Sequence, residues 1–155
     1  MTTPKTRSAV QATFCIENVY DASPARVFKA FAVQEAKDRW FGGPGEWTRL
    51  ERTFDFRVGG RETSVGGPAG QPPHGFFCTY QDIVADERIV YTYDMTIGED
   101  RISVSLATVE FKPEGQGARL TLTEHGVYLD GYDDAGQREH GTRWLLGKMG
   151  ETLKD

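Results

Sequence analysis

No window of this chain approaches the ~20 apolar residues that a bilayer-spanning helix needs. The basic residues near the N-terminus have no apolar stretch behind them, so no secretion signal is read there. Runs of positive charge are missing too. With 18 Lys and Arg against 23 Asp and Glu, the formal charge is -5, a balance unsuited to a phosphate-binding surface. Neither a membrane nor a nucleic acid is therefore expected as a partner. There are only two cysteines, Cys15 and Cys78. Both fall in expected strands and read as small buried thiols in a reducing compartment, so a cytoplasmic location is expected. The three histidines, His74, His125 and His140, lack short ligand spacing, and Cys-x-x-Cys and His-x-x-x-His do not occur. No metal and no cofactor are expected. No Gly-x-Ser-x-Gly elbow supports a nucleophilic serine, and no Gly-Lys-Ser/Thr follows the glycine-rich stretches.

What is present reads as one α+β domain. A chain of 155 residues buries about two-thirds of its unfolded surface, which is enough for a single core. Residues 1–12 read as a flexible tail, and residues 13–155 as the domain. The first strand spans about 13–20, with Phe14 and Ile16 on one face and Cys15, Glu17 and Val19 on the other. Ser23 followed by Pro24 marks a helix start, because proline at the first helical position loses no hydrogen bond. Val27, Phe28, Phe31 and Ala32 give that helix its apolar face, and a second short helix spans about 34–40. From Trp47 onward the period becomes two. Leu50, Arg52, Phe54, Phe56 and Val58 alternate with polar residues, which predicts one buried face. A tight turn at Gly59-Gly60, a glycine- and proline-rich loop over 66–74 and four further strands end near residue 126. The last twenty residues carry Leu145, Leu146, Met149 and Leu153 on one helical stripe, continued backwards by Thr142 and Arg138. Asp133 and Asp134 are placed to cap the helix start. A lone helix of this length is marginal in water, so its stripe is expected to lie on the sheet.

Several phrases in this order resemble a known family. They are Ser23-Pro24-Ala25-Arg26-Val27-Phe28, Arg39-Trp40-Phe41-Gly42, Asp55-Phe56-Arg57-Val58-Gly59-Gly60, Asp86-Glu87-Arg88-Ile89-Val90-Tyr91-Thr92 and Arg119-Leu120-Thr121-Leu122-Thr123-Glu124-His125-Gly126. Together they resemble the family named after the C-terminal domain of the heat shock protein 90 ATPase activator, within the START-like and Bet v 1-like helix-grip superfamily. The resemblance implies a curved antiparallel sheet of about seven strands, two short helices and a long C-terminal helix lying across the sheet. It also implies a cavity between sheet and helix. In the family a Gly-Trp pair often stands where this chain has Gly141-Thr142, so Thr142 would leave a roomier pocket. The superfamily includes lipid and hormone carriers, polyketide cyclases and co-chaperone domains, so the fold alone does not fix an activity.

The favoured expectation is non-catalytic binding of a small hydrophobic or aromatic molecule. Its ligand-binding residues would be Trp40, Phe56, Tyr80, Tyr91, Tyr93, Glu124, Arg138, Thr142, Leu145 and Met149. Two alternatives stay open. One is an enzyme of the cyclase, dehydratase or hydrolase kind, with Glu124, Tyr91 and His140 as catalytic candidates. The other is a chaperone-associated interaction domain. If Leu120 and Leu122 face inward, period two carries Glu124 inward as well, where burial would raise its pKa unless it pairs with Arg138. Beyond the small molecule, a homodimer and a chaperone contact are the partners left open.

Overall fold

The computed structural model describes residues 6–154; residues 1–5 of the expected tail, and Asp155, lie outside it. Strand β1 (Ala9–Tyr20) is followed by helices α1 (Pro24–Ala32) and α2 (Gln34–Asp38). Strands β2 (Thr48–Phe54), β3 (Arg61–Gly67), β4 (His74–Val84), β5 (Arg88–Ile97), β6 (Asp100–Glu114) and β7 (Gly117–Leu129) come next, and helix α3 (Ala135–Thr152) closes the chain. The seven strands form one antiparallel sheet in the order β1-β7-β6-β5-β4-β3-β2, open at β1 and β2. Register shifts interrupt β2 between Arg49 and Glu51, β4 between Tyr80 and Asp82, and β6 between Arg101 and Ser103, opposite Met95 and Thr96 of β5. Each bends its strand.

The local rules act where the sequence placed them. The Ser23 side chain accepts from the Arg26 backbone N–H at 3.2 Å, with Pro24 opening α1. Asp134 accepts from the Gln137 N–H at 2.9 Å and caps α3. Asp86, in the β4–β5 turn, takes φ +64°, a left-handed conformation that aspartate tolerates better than most residues.

Several boundaries and faces differ from expectation. β1 begins at Ala9, inside the segment expected to be flexible, because its first residues pair with the end of β7 (Ala9 with Leu129, Ala12 with Gly126). β7 correspondingly runs three residues past Gly126. Leu50 and Val58 are not on a buried face: they are 63% and 57% exposed. Leu50 is the extra residue of the β2 bulge, and Val58 lies beyond the end of that strand. Cys15 is exposed, since the inward phase of Phe14 and Ile16 turns it outward; only Cys78 is buried.

The inner faces of β6 and β7 divide into two ends. Val109, Phe111, Leu120 and Leu122 make one end apolar, while Ser103, Ser105, Glu124 and Tyr128 make the other polar. Helix α3 matches this division. Leu146, Met149 and Leu153 are buried toward its C-terminal end, and Arg138 is buried near its start. The Tyr20 hydroxyl donates to the Leu146 carbonyl at 3.0 Å and ties the helix to β1. Below the helix the core is aromatic. Edge and tilted contacts run from Trp40 through Phe31, Phe111, Phe28 and Phe56. They continue through Tyr80, Tyr91, Tyr93, Phe76 and Phe41, and return to Trp40 as a closed circuit.

Truncating the anchored stripe should therefore differ from truncating the bulge. Leu146→Ala is expected to destabilise the fold by about 2–5 kcal/mol, the range for deleting a buried leucine. Leu50→Ala should change stability by less than about 0.5 kcal/mol, as for exposed positions. Urea denaturation of the two variants checks the contrast.

Candidate functional site

Between the sheet and α3 lies a cavity of about 790 Å³. Its wall draws on the end of α1, on α2 and the loop after it, on β3, β4 and β5, and on α3. Trp40, Tyr91, Tyr93, Glu124, Arg138, Thr142 and Leu145 all border it. Phe56, Tyr80 and Met149 do not, although the sequence grouped them with the others. Phe56 and Tyr80 pack in the aromatic circuit beneath, and Met149 is buried in the core cluster. His140 is exposed on α3 and does not border the cavity. It stands two positions from inward Arg138, about 200° around a helix of 3.6 residues per turn, which turns it outward.

Two buried charge clusters adjoin the cavity. The first hangs from α3. Arg138 donates through Nη2 to Ser103 Oγ at 2.7 Å and Asp133 Oδ2 at 2.9 Å, and through Nη1 to the Tyr93 hydroxyl at 3.0 Å. The Tyr93 hydroxyl donates in turn to Glu124 Oε2 at 2.8 Å, and Arg138 Nη1 stands 3.8 Å from that oxygen. Glu124 is 2% exposed. Burial pushes its carboxyl pKa up, and the Tyr93 hydrogen bond and the Arg138 charge offset this only in part. The alternation along β7 thus does carry Glu124 inward, and Glu124 does pair with Arg138. Tyr128, whose ring lies 5.4 Å from the Arg138 guanidinium carbon, has a buried hydroxyl with no partner among the described residues.

The second cluster was missed by sequence reasoning. Lys37 of α2 sits 2.6 Å from Glu62 Oε1 on β3, and Glu62 is fully buried. The Tyr80 hydroxyl donates to the same carboxylate oxygen. Arg52 of β2 reaches the other oxygen at 2.6 Å and also bonds Asp38 at 2.9 Å. Lys37 Nζ lies 4.5 Å from the centroid of the Phe41 ring. Burial alone would raise the Glu62 pKa, but Lys37, with Tyr80 and Arg52, holds it below the usual carboxylate range. The available signal was Arg52 in the apolar alternation of β2. In the hairpin register Phe54 faces Glu62, so the return strand carries the counter-charge on the same side.

The polar groups of both clusters are mostly spent on one another. Trp40 likewise donates its indole N–H to the Ala30 carbonyl at 2.9 Å. At the mouth, Trp47 packs on His74 with ring centroids 4.7 Å apart, and Trp144 is 47% exposed. Burial pushes the Cys78 thiol up to about 12, so it stays protonated. His125, on the outer face, is hydrogen-bonded to Thr13 Oγ1 at 2.8 Å. Among the described residues no helix is long and apolar enough to cross a membrane.

An open antiparallel sheet closed over by a C-terminal helix, with a cavity between them, defines a helix-grip protein of the Bet v 1-like superfamily. The chain belongs to the Activator of Hsp90 ATPase homolog 1-like protein family, whose family model matches residues 21–154. It is similar to a crystal structure from Rhizobium loti at 46% identity and TM-score 0.87, covering 94% of this chain and 99% of that one. A structure from Rhizobium leguminosarum is 43% identical with TM-score 0.91, covering 96% and 98% of the two chains. A protein from Chromobacterium violaceum, at 24% identity and TM-score 0.76 over 92% and 97%, shares the fold. A search of curated proteins finds no match.

Removing the carboxylate that holds Lys37 and Arg52 leaves Lys37 buried without a counter-charge and Arg52 with Asp38 alone. Glu62→Gln is therefore expected to destabilise the fold by about 3–5 kcal/mol near neutral pH. Because the folded pKa is depressed, the contribution of Glu62 ionisation is complete above the unfolded value of roughly 4.3. It is lost as pH falls through the lower folded value. The gap between wild type and variant should close on that acid limb, as read from urea midpoints across pH 2–7.

Proposed function

We propose that this protein binds a small, largely apolar or aromatic molecule in the cavity between sheet and helix, without chemically changing it. The observation that carries this reading is the cavity itself, at about 790 Å³ and bordered by Trp40, Phe41, Phe76, Tyr91, Tyr93 and Leu145. Ligand sites of this size are mainly apolar, with a few fixed polar groups that orient the guest. The state of the charged groups favours binding over turnover. A general acid or base must reach a substrate proton. Here Glu124, Tyr93 and Arg138 are already hydrogen-bonded among themselves, and exposed His140 lies away from the cavity.

Thr142, half-buried on the wall, offers the direct test. Its hydroxyl donates back to the Arg138 carbonyl at 2.9 Å, so it is held within the helix and leaves cavity space unfilled. N-phenyl-1-naphthylamine, a neutral aromatic fluorophore, is expected to bind the wild type with enhanced emission. Thr142→Trp should place an indole in that space and weaken binding at least tenfold while the circular dichroism spectrum is kept. Absence of probe binding to the wild type, or equal binding to a folded Thr142→Trp variant, would refute the reading.

A further inference from the structure

Most of the buried polar groups on the cavity wall are already engaged with one another, whereas the Tyr91 hydroxyl is not. Lys37 is held by Glu62 at 2.6 Å, and Arg138 by Asp133 at 2.9 Å with Glu124 at 3.8 Å. The Tyr93 hydroxyl both accepts from Arg138 and donates to Glu124. Tyr91 stands two residues before Tyr93 on the same face of β5, with its ring 5.9 Å from that of Tyr93 and 6.1 Å from that of Tyr80. It borders the cavity, yet no group among the described residues hydrogen-bonds its hydroxyl. The residue is half-buried, and a guest that displaces water from the cavity would leave this hydroxyl unbonded unless it offers an acceptor, so a guest that satisfies it is favoured over one that does not.

The charges around Tyr91 narrow the guest further. Burial is the main cause that keeps its phenol protonated far above neutral pH, with Tyr93 and Glu124 acting in the same direction. The hydroxyl is thus a donor at every working pH. The two buried cations of the wall, Lys37 and Arg138, are matched by carboxylates within the protein, so an anionic guest meets no spare buried positive charge; the other cations that border the cavity are exposed Arg39 and Arg49 and half-buried Lys148. Entering would cost it its hydration without a counter-ion in return.

We propose that Tyr91 selects the ligand: the guest is an uncharged, mainly apolar molecule bearing a carbonyl or comparable acceptor, which receives a hydrogen bond from the Tyr91 hydroxyl. This rests on the cavity-binding reading above and adds to it the chemistry of the guest.

Three probes of one shape separate the two claims: 1-acetylnaphthalene, 1-ethylnaphthalene and 1-naphthoate. Each is titrated calorimetrically into the wild type and into Tyr91→Phe, which removes only the hydroxyl. Because that hydroxyl has no protein partner, the variant should keep the wild-type melting temperature. The ketone is expected to lose about 3–10-fold in affinity in Tyr91→Phe, the effect of one net hydrogen bond. The hydrocarbon should stay within twofold, and naphthoate should bind the wild type more weakly than the ketone. Equal loss for ketone and hydrocarbon, no loss for either, or tightest binding by naphthoate would overturn the role given to Tyr91 while leaving the cavity reading standing. Failure of all three probes to bind would overturn both.

Discussion

The structure is organised around a buried ion pair set among aromatic rings. Lys37 and Glu62 meet on the inner side of the sheet, where Phe41, Phe54, Phe76 and Tyr80 surround the ammonium group. Two charges removed from water gain little net stability from each other, but neither tolerates the loss of its partner. The pair therefore acts as a constraint on arrangement. It admits only the placement of α2 that brings Lys37 over β3, and Arg52 and Asp38 reinforce that placement from β2 and α2. The aromatic circuit inherits its geometry from the same constraint, since Tyr80 belongs both to the ring contacts and to the carboxylate's hydrogen bonds.

Helix α3 is held by different chemistry at its two ends. Near its start, Arg138 spreads over Ser103, Tyr93 and Asp133, a fan of charge-assisted contacts beneath the surface. Toward its C-terminus, Leu146, Met149 and Leu153 settle onto the apolar end of the sheet by burial alone. The cavity occupies the stretch between these attachments, where Thr142 and Leu145 face it. Its existence follows from the sheet's inner face changing character along β6 and β7, so that the helix touches down at two places.

Much of this was legible in the residues. The cap at Ser23, the cap at Asp134, the meander and the stripe of α3 all follow from local rules that packing here does not override. Glu124 was readable too, since a period of two from Leu120 and Leu122 leaves it no other face. Lys37 was not, because α2 is five residues long and too short to show a periodicity. Glu62 becomes an inward residue only once the register against Phe54 is known, and that depends on a six-residue connection, 55–60, that was read as a tight turn. Leu50 misled for a related reason: a bulge shifts the phase of a strand by one, and apolar residues continue the pattern on paper after the chain has turned them outward. His140 and Cys15 were errors of phase that their neighbours already contained.

The two-point attachment of α3 has a corollary for substitution along the helix. Positions 141, 142 and 145 lie over open space, so side chains there can be exchanged for larger or smaller ones without disturbing either anchorage. Substitutions at those few roof positions would reshape the hollow, whereas changes in the floor of interlocked rings and paired charges would break a ring contact or strand a buried charge. The shape of the hollow and the integrity of the fold are, in such a molecule, assigned to separate parts of the chain.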